Sequence, residues 1–233
     1  MVLFWGQSMK LDDVTLIAIS GHDRFVKANK KALQHCRNLC DFGDIKLFTP
    51  TKDPEVKSVL IPYLDVSLYA KFCVEELHKH IDTEYCLLVQ SDGFIINTDY
   101  WTDEFLQYDY IGAPWPHHDH AVGNGGFCLR SKKFLQASSK LKYTSDAHLV
   151  AGLSERQFVQ GHVAPEDWFI IINNHEHMKK ENIHYPSPEL AFQFSVEHPS
   201  MLKRFDRYNL DTYKSFGFHG PFNVAAMEKL NES

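Results

Sequence analysis

Three short apolar runs separated by helical stripes constrain this chain more than any other feature. Residues 14–19 (VTLIAI) are continuous, apolar and rich in β-branched side chains, with Asp12 and Asp13 before them. Bounded runs of this kind form strands buried on both faces, as in a parallel sheet. Phe25, Ala32, Leu33, Cys36 and Cys40 then recur at helical intervals, and Gly43 is expected to stop that helix. A second run, 45–48 (IKLF), closes at Pro50. Tyr69, Phe72, Cys73, Leu77 and Ile81 mark a second amphipathic helix, and 85–89 (YCLLV) is the third run. The order strand, helix, strand, helix, strand predicts an α/β fold in which the three runs are neighbouring central strands.

In such sheets ligands bind beyond the carboxyl ends of the strands. The first of those ends carries Ser20, Gly21, His22 and Asp23, and the third carries Gln90, Ser91, Asp92 and Gly93. The second half differs in texture. Residues 108–130 are dense in Gly, Pro, His and aromatics, a helix is expected from Pro165, and 192–196 reads as a late strand. With no repeat and no Ser- or Gly-rich linker, one domain is expected. Its nucleotide-type half spans about 12–115 and its loop-rich half about 116–222.

Composition narrows the partners. Lys and Arg number 24 against 30 Asp and Glu, a net charge of −6. A nucleic-acid binder would need a basic excess. The 5 Cys are scattered, several within apolar runs, which favours reduced thiols and a cytoplasmic setting over a disulfide framework. The apolar start, residues 1–5, is too short for a signal peptide, and no run reaches the roughly 20 apolar residues of a membrane span. The 14 His and 13% aromatic residues suit carbohydrate chemistry without requiring it.

Several clusters can carry chemistry. Asp92 follows a buried strand, where a carboxylate can hold a divalent cation, or simply make an Asp-Gly turn. His117, His118 and His120 with Asp119 could bind zinc, but adjacent imidazoles seldom converge on one ion, and a loop over a substrate is the simpler expectation. The run Gly123, Asn124, Gly125, Gly126 lets backbone approach a ligand closely, or makes a tight turn. Glu166 and Asp167 after Pro165 have the composition of a helix start, and either can also serve as a general base. His219 lies near the C-terminus in FGFH, where it would complete a metal site if it faced Asp92.

The ordered set 90–93 (QSDG), 108–115 (YDYIGAPW), 123–131 (GNGGFCLRS), 165–167 (PED) and 216–219 (FGFH) resembles a family of small GT-A-fold glycosyltransferase-like proteins of bacteria and viruses. More distantly the chain is similar to the fringe and β-1,3-galactosyltransferase enzymes. The resemblance runs from about Val14 to His219. It implies transfer of a sugar from a UDP- or GDP-sugar to an acceptor hydroxyl, with inversion, in surface glycan or polysaccharide synthesis. It implies Mn²⁺ or Mg²⁺ on Asp92 and His219, with Asp167, or failing that Glu166, as the base. Gln90 replaces the first Asp of the family's D-x-D motif, which removes one charge from the metal site. The nucleoside would lie over Ser20 to Asp23, Trp115, Trp168 and the His117 to His120 loop would stack on sugars and close the site, and Asn124, Gly125 and Gly126 would approach the donor sugar or acceptor. The competing readings are a metal-dependent hydrolase built on the His cluster, and a non-catalytic carbohydrate- or nucleotide-binding domain.

Overall fold

The computed structural model describes residues 8–115, 122–144, 164–197 and 214–220. The cluster His117, Asp119 and neighbouring histidines lies outside them. A six-stranded sheet organises the domain, in the order β3-β2-β1-β4-β6-β5. Strands β1 (Met9–Ile19), β2 (Cys40–Thr49), β3 (Ser58–Leu60) and β4 (Tyr85–Leu88) are parallel. Strand β6 (Cys128–Ser131) runs antiparallel to both β4 and β5 (Tyr110–Ile111). The three expected strands are adjacent, with β1 central between β2 and β4. Leu16, Ile17, Leu47, Phe48, Leu87 and Leu88 are completely buried, which is why these runs do not alternate.

Helix α1 (Asp23–Leu39) crosses from β1 to β2 and buries Asn29, Ala32, Leu33 and Cys36. The inward stripe therefore includes a polar residue, whereas Phe25, expected to be in the stripe, is 46% exposed. Gly43 does not end the helix. It lies inside β2 beside the register shift between Leu11 and Thr15, where a Cβ would come within 2.0 Å of the Asp12 carbonyl oxygen. The second helix starts as α2 (Val66–Lys71), widens into a π-turn at Phe72–Glu76 and tightens into a 3₁₀ turn at Leu77–His80. The helix expected from Pro165 likewise begins with Glu166–Trp168 and widens at Phe169–Asn173. Widened turns of this kind recur beside functional sites.

The expected late strand is mostly helix: Pro188–Phe194 is helical, because Ser187 caps its start and Pro188 suits the first turn. Only Ser195–Val196 (β7) is extended, and it pairs in parallel with Gly217–Phe218 (β8). Asp109, from the YDYIGAPW run, is a structural staple. It accepts from the Ser131 hydroxyl at 2.8 Å, Lys133 at 3.0 Å and the His184 backbone N–H at 2.9 Å. Ser131 in turn caps helix α3 (Lys132–Ser138) through the Phe134 N–H.

Candidate functional site

Two clefts of about 370 Å³ each open at the carboxyl ends of β1 and β4, and Gln90 lines both. The first is walled by Ile19, Phe25, Leu64, Val66 and Tyr69, with Asn29, Asp65, Ser91 and Asp92 supplying polar groups. No Lys, Arg or His is among its described lining residues. The second is lined by Trp115, Asn124, Gly125, Gly126, Glu166, Asp167, Trp168, Glu197 and His219.

Asn29 holds the floor of the first cleft. Its amide donates to the Ser20 hydroxyl at 2.9 Å, and its oxygen accepts the Ser91 N–H at 2.9 Å, tying the ends of β1 and β4 together. Nothing in the helical pattern separated Asn29 from a solvated polar residue. The expected set after β1 divides. Gly21 lines the cleft, but the buried Ser20 hydroxyl is engaged by Asn29. His22 caps α1 by accepting the Arg24 N–H, and the Asp23 carboxylate accepts from Thr51 and Tyr63. Neither His22 nor Asp23 is part of the cleft lining, because the chain turns into α1 at that point.

After β4 the chain makes a tight turn. Gln90 and Gly93 exchange backbone hydrogen bonds at 2.8 and 3.1 Å, which leaves Ser91 and Asp92 at the tip. The Gln90 amide donates to the Tyr69 hydroxyl. The segment after β8 lies alongside: the Gly220 N–H donates to the Asp92 carbonyl at 2.7 Å. The fold thus brings Asp92 and His219 close together from segments far apart in the sequence. Burial works against a charged His219 imidazole, but Glu197, Asp92 and Asp167 outweigh it and raise its pKa. Glu197 was not singled out by sequence, since it lies in no recognisable motif. Among the described residues no group of three or more His, Cys, Asp or Glu forms a metal cluster.

The glycine-rich run carries the second cleft. Asn124 takes a left-handed conformation, φ 65°, and its side chain accepts the Gly126 N–H at 3.1 Å, a local turn that Asn tolerates well. The close approach permitted by Gly125 and Gly126 is to side chains of this protein. A Cβ on Gly125 would sit 2.2 Å from Glu166 Oε1, and one on Gly126 would sit 2.0 Å from His219 Nε2. Trp115 and Trp168, both largely buried, pack at 5.6 Å between ring centroids and form an aromatic wall.

Glu166 and Asp167 are adjacent in sequence but differ in setting. Glu166 pairs with Arg130 at 2.9 Å, and the guanidinium is fully buried, with its Nε on Cys128 Sγ at 3.1 Å. Asp167 accepts the Gly125 N–H and the Trp168 N–H, each at 2.7 Å. Burial, then the neighbouring Glu166 charge, push its carboxyl up to about 7, against the two N–H bonds and Arg130. A carboxyl in that range can take a proton near neutrality and release it again. Each carboxylate oxygen offers two lone-pair directions, so the backbone bonds leave acceptor capacity on Asp167.

The chain belongs to the family described as protein of unknown function DUF5672, which matches residues 62–219. No curated protein matches the sequence. Among solved structures it is similar to the glycosyltransferase GlyE of Streptococcus pneumoniae TIGR4, with a TM-score of 0.54 and 13% identity over 97% of this chain and 63% of GlyE. It is also similar to the galactosyltransferase LgtC, solved with donor and acceptor sugar analogs, with a TM-score of 0.51 and 10% identity over 96% of this chain and 94% of LgtC. At such identities the likeness is one of fold. The domain has the mixed α/β, mostly parallel architecture of GT-A glycosyltransferases, as the sequence implied.

Proposed function

We propose that this DUF5672 member transfers a sugar from a nucleoside diphosphate sugar to an acceptor hydroxyl. The observation that carries the reading is the pair of clefts that share Gln90, one with Asp92 at its edge and the other with Asp167 and His219. In this reading the first cleft takes the UDP- or GDP-sugar donor, its apolar wall facing the base. The second takes a glycan acceptor against Trp115 and Trp168. Gln90, shared by the two linings, would set donor and acceptor side by side.

Asp167 is the proposed base. Glu166, its alternative, has its carboxylate engaged by Arg130, so its part is to hold the helix start and the local charge. A base on the acceptor side that removes the hydroxyl proton supports direct displacement at the sugar carbon, with inversion.

The first cleft holds carboxylates and no basic side chain among its described lining, which favours a cation as the partner of a diphosphate there. Asp92 lines that cleft and His219 the adjoining one, so an ion at their junction beside Gln90 would have few protein ligands, which suits a hard ion such as Mn²⁺ or Mg²⁺ that completes its shell with water and phosphate oxygens and does not suit a closed zinc site. When bound, the ion would neutralise charge on the departing diphosphate. The free, buried cysteines support a cytoplasmic setting, and no described helix is long and apolar enough to cross a membrane. A role in surface glycan or polysaccharide synthesis belongs to the same proposal.

The test is donor turnover over a panel of UDP- and GDP-sugars, with and without Mn²⁺. Asp167→Asn is expected to abolish transfer while donor binding, measured by calorimetry, stays near normal, because the base acts in the transition state. Donor binding without turnover in the wild-type protein would favour a binding module instead.

A further inference from the structure

Strands β7 and β8 pair in parallel for two residues each, Ser195 with Gly217 and Val196 with Phe218. The next residues are Glu197 and His219, and the His219 N–H donates to the Val196 carbonyl at 2.9 Å. Strand pairing therefore sets these two side chains side by side at the edge of the second cleft, which both line. His219 Nδ1 lies 3.9 Å from Glu197 Oε1, an ion-pair separation longer than a hydrogen bond. The Glu197 Oε2 atom is buried and has no hydrogen-bond partner among the described residues.

The other edge of the ring is seated just as closely. A Cβ on Gly126 would lie 2.0 Å from His219 Nε2, and one on Gly93 would lie 3.0 Å from Cδ2. Two glycines from different strand ends thus form a seat that any larger residue would fill. A carboxylate beside one imidazole nitrogen fixes the tautomer and makes the opposite nitrogen the acceptor. We propose that Glu197 is a positioning residue for His219, holding the Nδ1 edge so that the Nε2 edge faces the cleft over Gly126. That orientation stands on the pairing and the glycine seat; its consequence for a cation rests on the transfer reading above.

The orientation is read from ¹⁵N-labelled histidine in the full chain, by ring-nitrogen NMR of the neutral imidazole. The wild-type protein is expected to show a single Nδ1–H tautomer at His219. Glu197→Ala should give a mixture of tautomers, and Glu197→Gln, which keeps an acceptor oxygen, should restore most of the Nδ1–H form. An unchanged His219 tautomer in Glu197→Ala would overturn the proposal. For the cation, Mn²⁺ is titrated in the presence of UDP or GDP. Glu197→Ala should weaken Mn²⁺ by about 10–100-fold, as expected for a residue that orients a ligand, and should have no effect in a His219→Ala background. Equal weakening in that background would make Glu197 an independent ligand and sink the positioning role. If the wild-type protein binds no Mn²⁺, the cation reading falls, and the ring spectrum alone still decides what Glu197 does.

Discussion

Replacing Glu166 by Gln isolates what the buried Arg130 charge requires. The Gln oxygen can still accept from Arg130 Nη2, so shape and one hydrogen bond survive while the negative charge goes. The two side chains meet at 2.9 Å with exposures of 0% and 8%, so solvent barely screens the charge left behind. Losing a neutral hydrogen bond costs about 1 kcal/mol, whereas leaving a buried charge without its partner costs about 3–5 kcal/mol. We expect the higher range for Glu166→Gln. That is a large share of the roughly 5–15 kcal/mol that keeps a domain folded. At about 2–4 °C per kcal/mol for a chain of this size, the melting temperature should fall by roughly 6–20 °C. Arg130→Met should also be costly, since it leaves Glu166 and Asp167 together without a countercharge. The double variant removes both charges, so its loss should be smaller than the sum of the singles by about 1–3 kcal/mol. Urea denaturation of the four proteins measures this cycle. A Glu166→Gln loss below about 1 kcal/mol, or strict additivity in the double variant, would refute the reasoning.

The remaining predictions concern the clefts. The Asp167 carboxyl, held up at about 7 mainly by burial, binds its proton more tightly in the folded than in the unfolded chain. Its contribution to stability should therefore be fully present below about pH 4 and decline as pH rises through about 7; a wild-type minus Asp167→Asn stability difference that grows over that window would contradict this. Gly126→Ala places a methyl group 2.0 Å from His219 Nε2, and should cost about 1–3 kcal/mol in urea denaturation; an unchanged midpoint would show that the ring moves freely. Chelation should stop transfer and added Mn²⁺ restore it, while Asp92→Asn should weaken Mn²⁺ binding in the presence of UDP or GDP. Transfer that persists in excess chelator would rule out the cation.

The central strands were legible in the sequence because full burial on both faces favours unbroken apolar runs; residues 14–19 and 85–89 come close to that pattern, and 45–48 departs from it at Lys46, which is buried only because Asp44 and Asp82 pair with its ammonium. The helix start at Pro165 was legible because capping preferences are local. Adjacency of Asp92 and His219 came from resemblance, and periodicity could not have supplied it, since they lie 127 positions apart (219 less 92). Elsewhere local pattern misled. Gly43 read as a helix stop, yet it is needed for a backbone contact with Asp12, and Phe25 sat in the helical stripe but faces a cleft. Glu166 and Asp167 have the same charge and neighbouring positions, so no sequence pattern separates them. Only the folded chain assigns one to Arg130 and the other to the Gly125 N–H. Likewise Asn29 and Glu197 carry no motif, and their meaning comes from what packs against them. Burial of an apolar face is written in the spacing of residues along one element, whereas the pairing of charges depends on which elements meet, and that is decided by long-range packing.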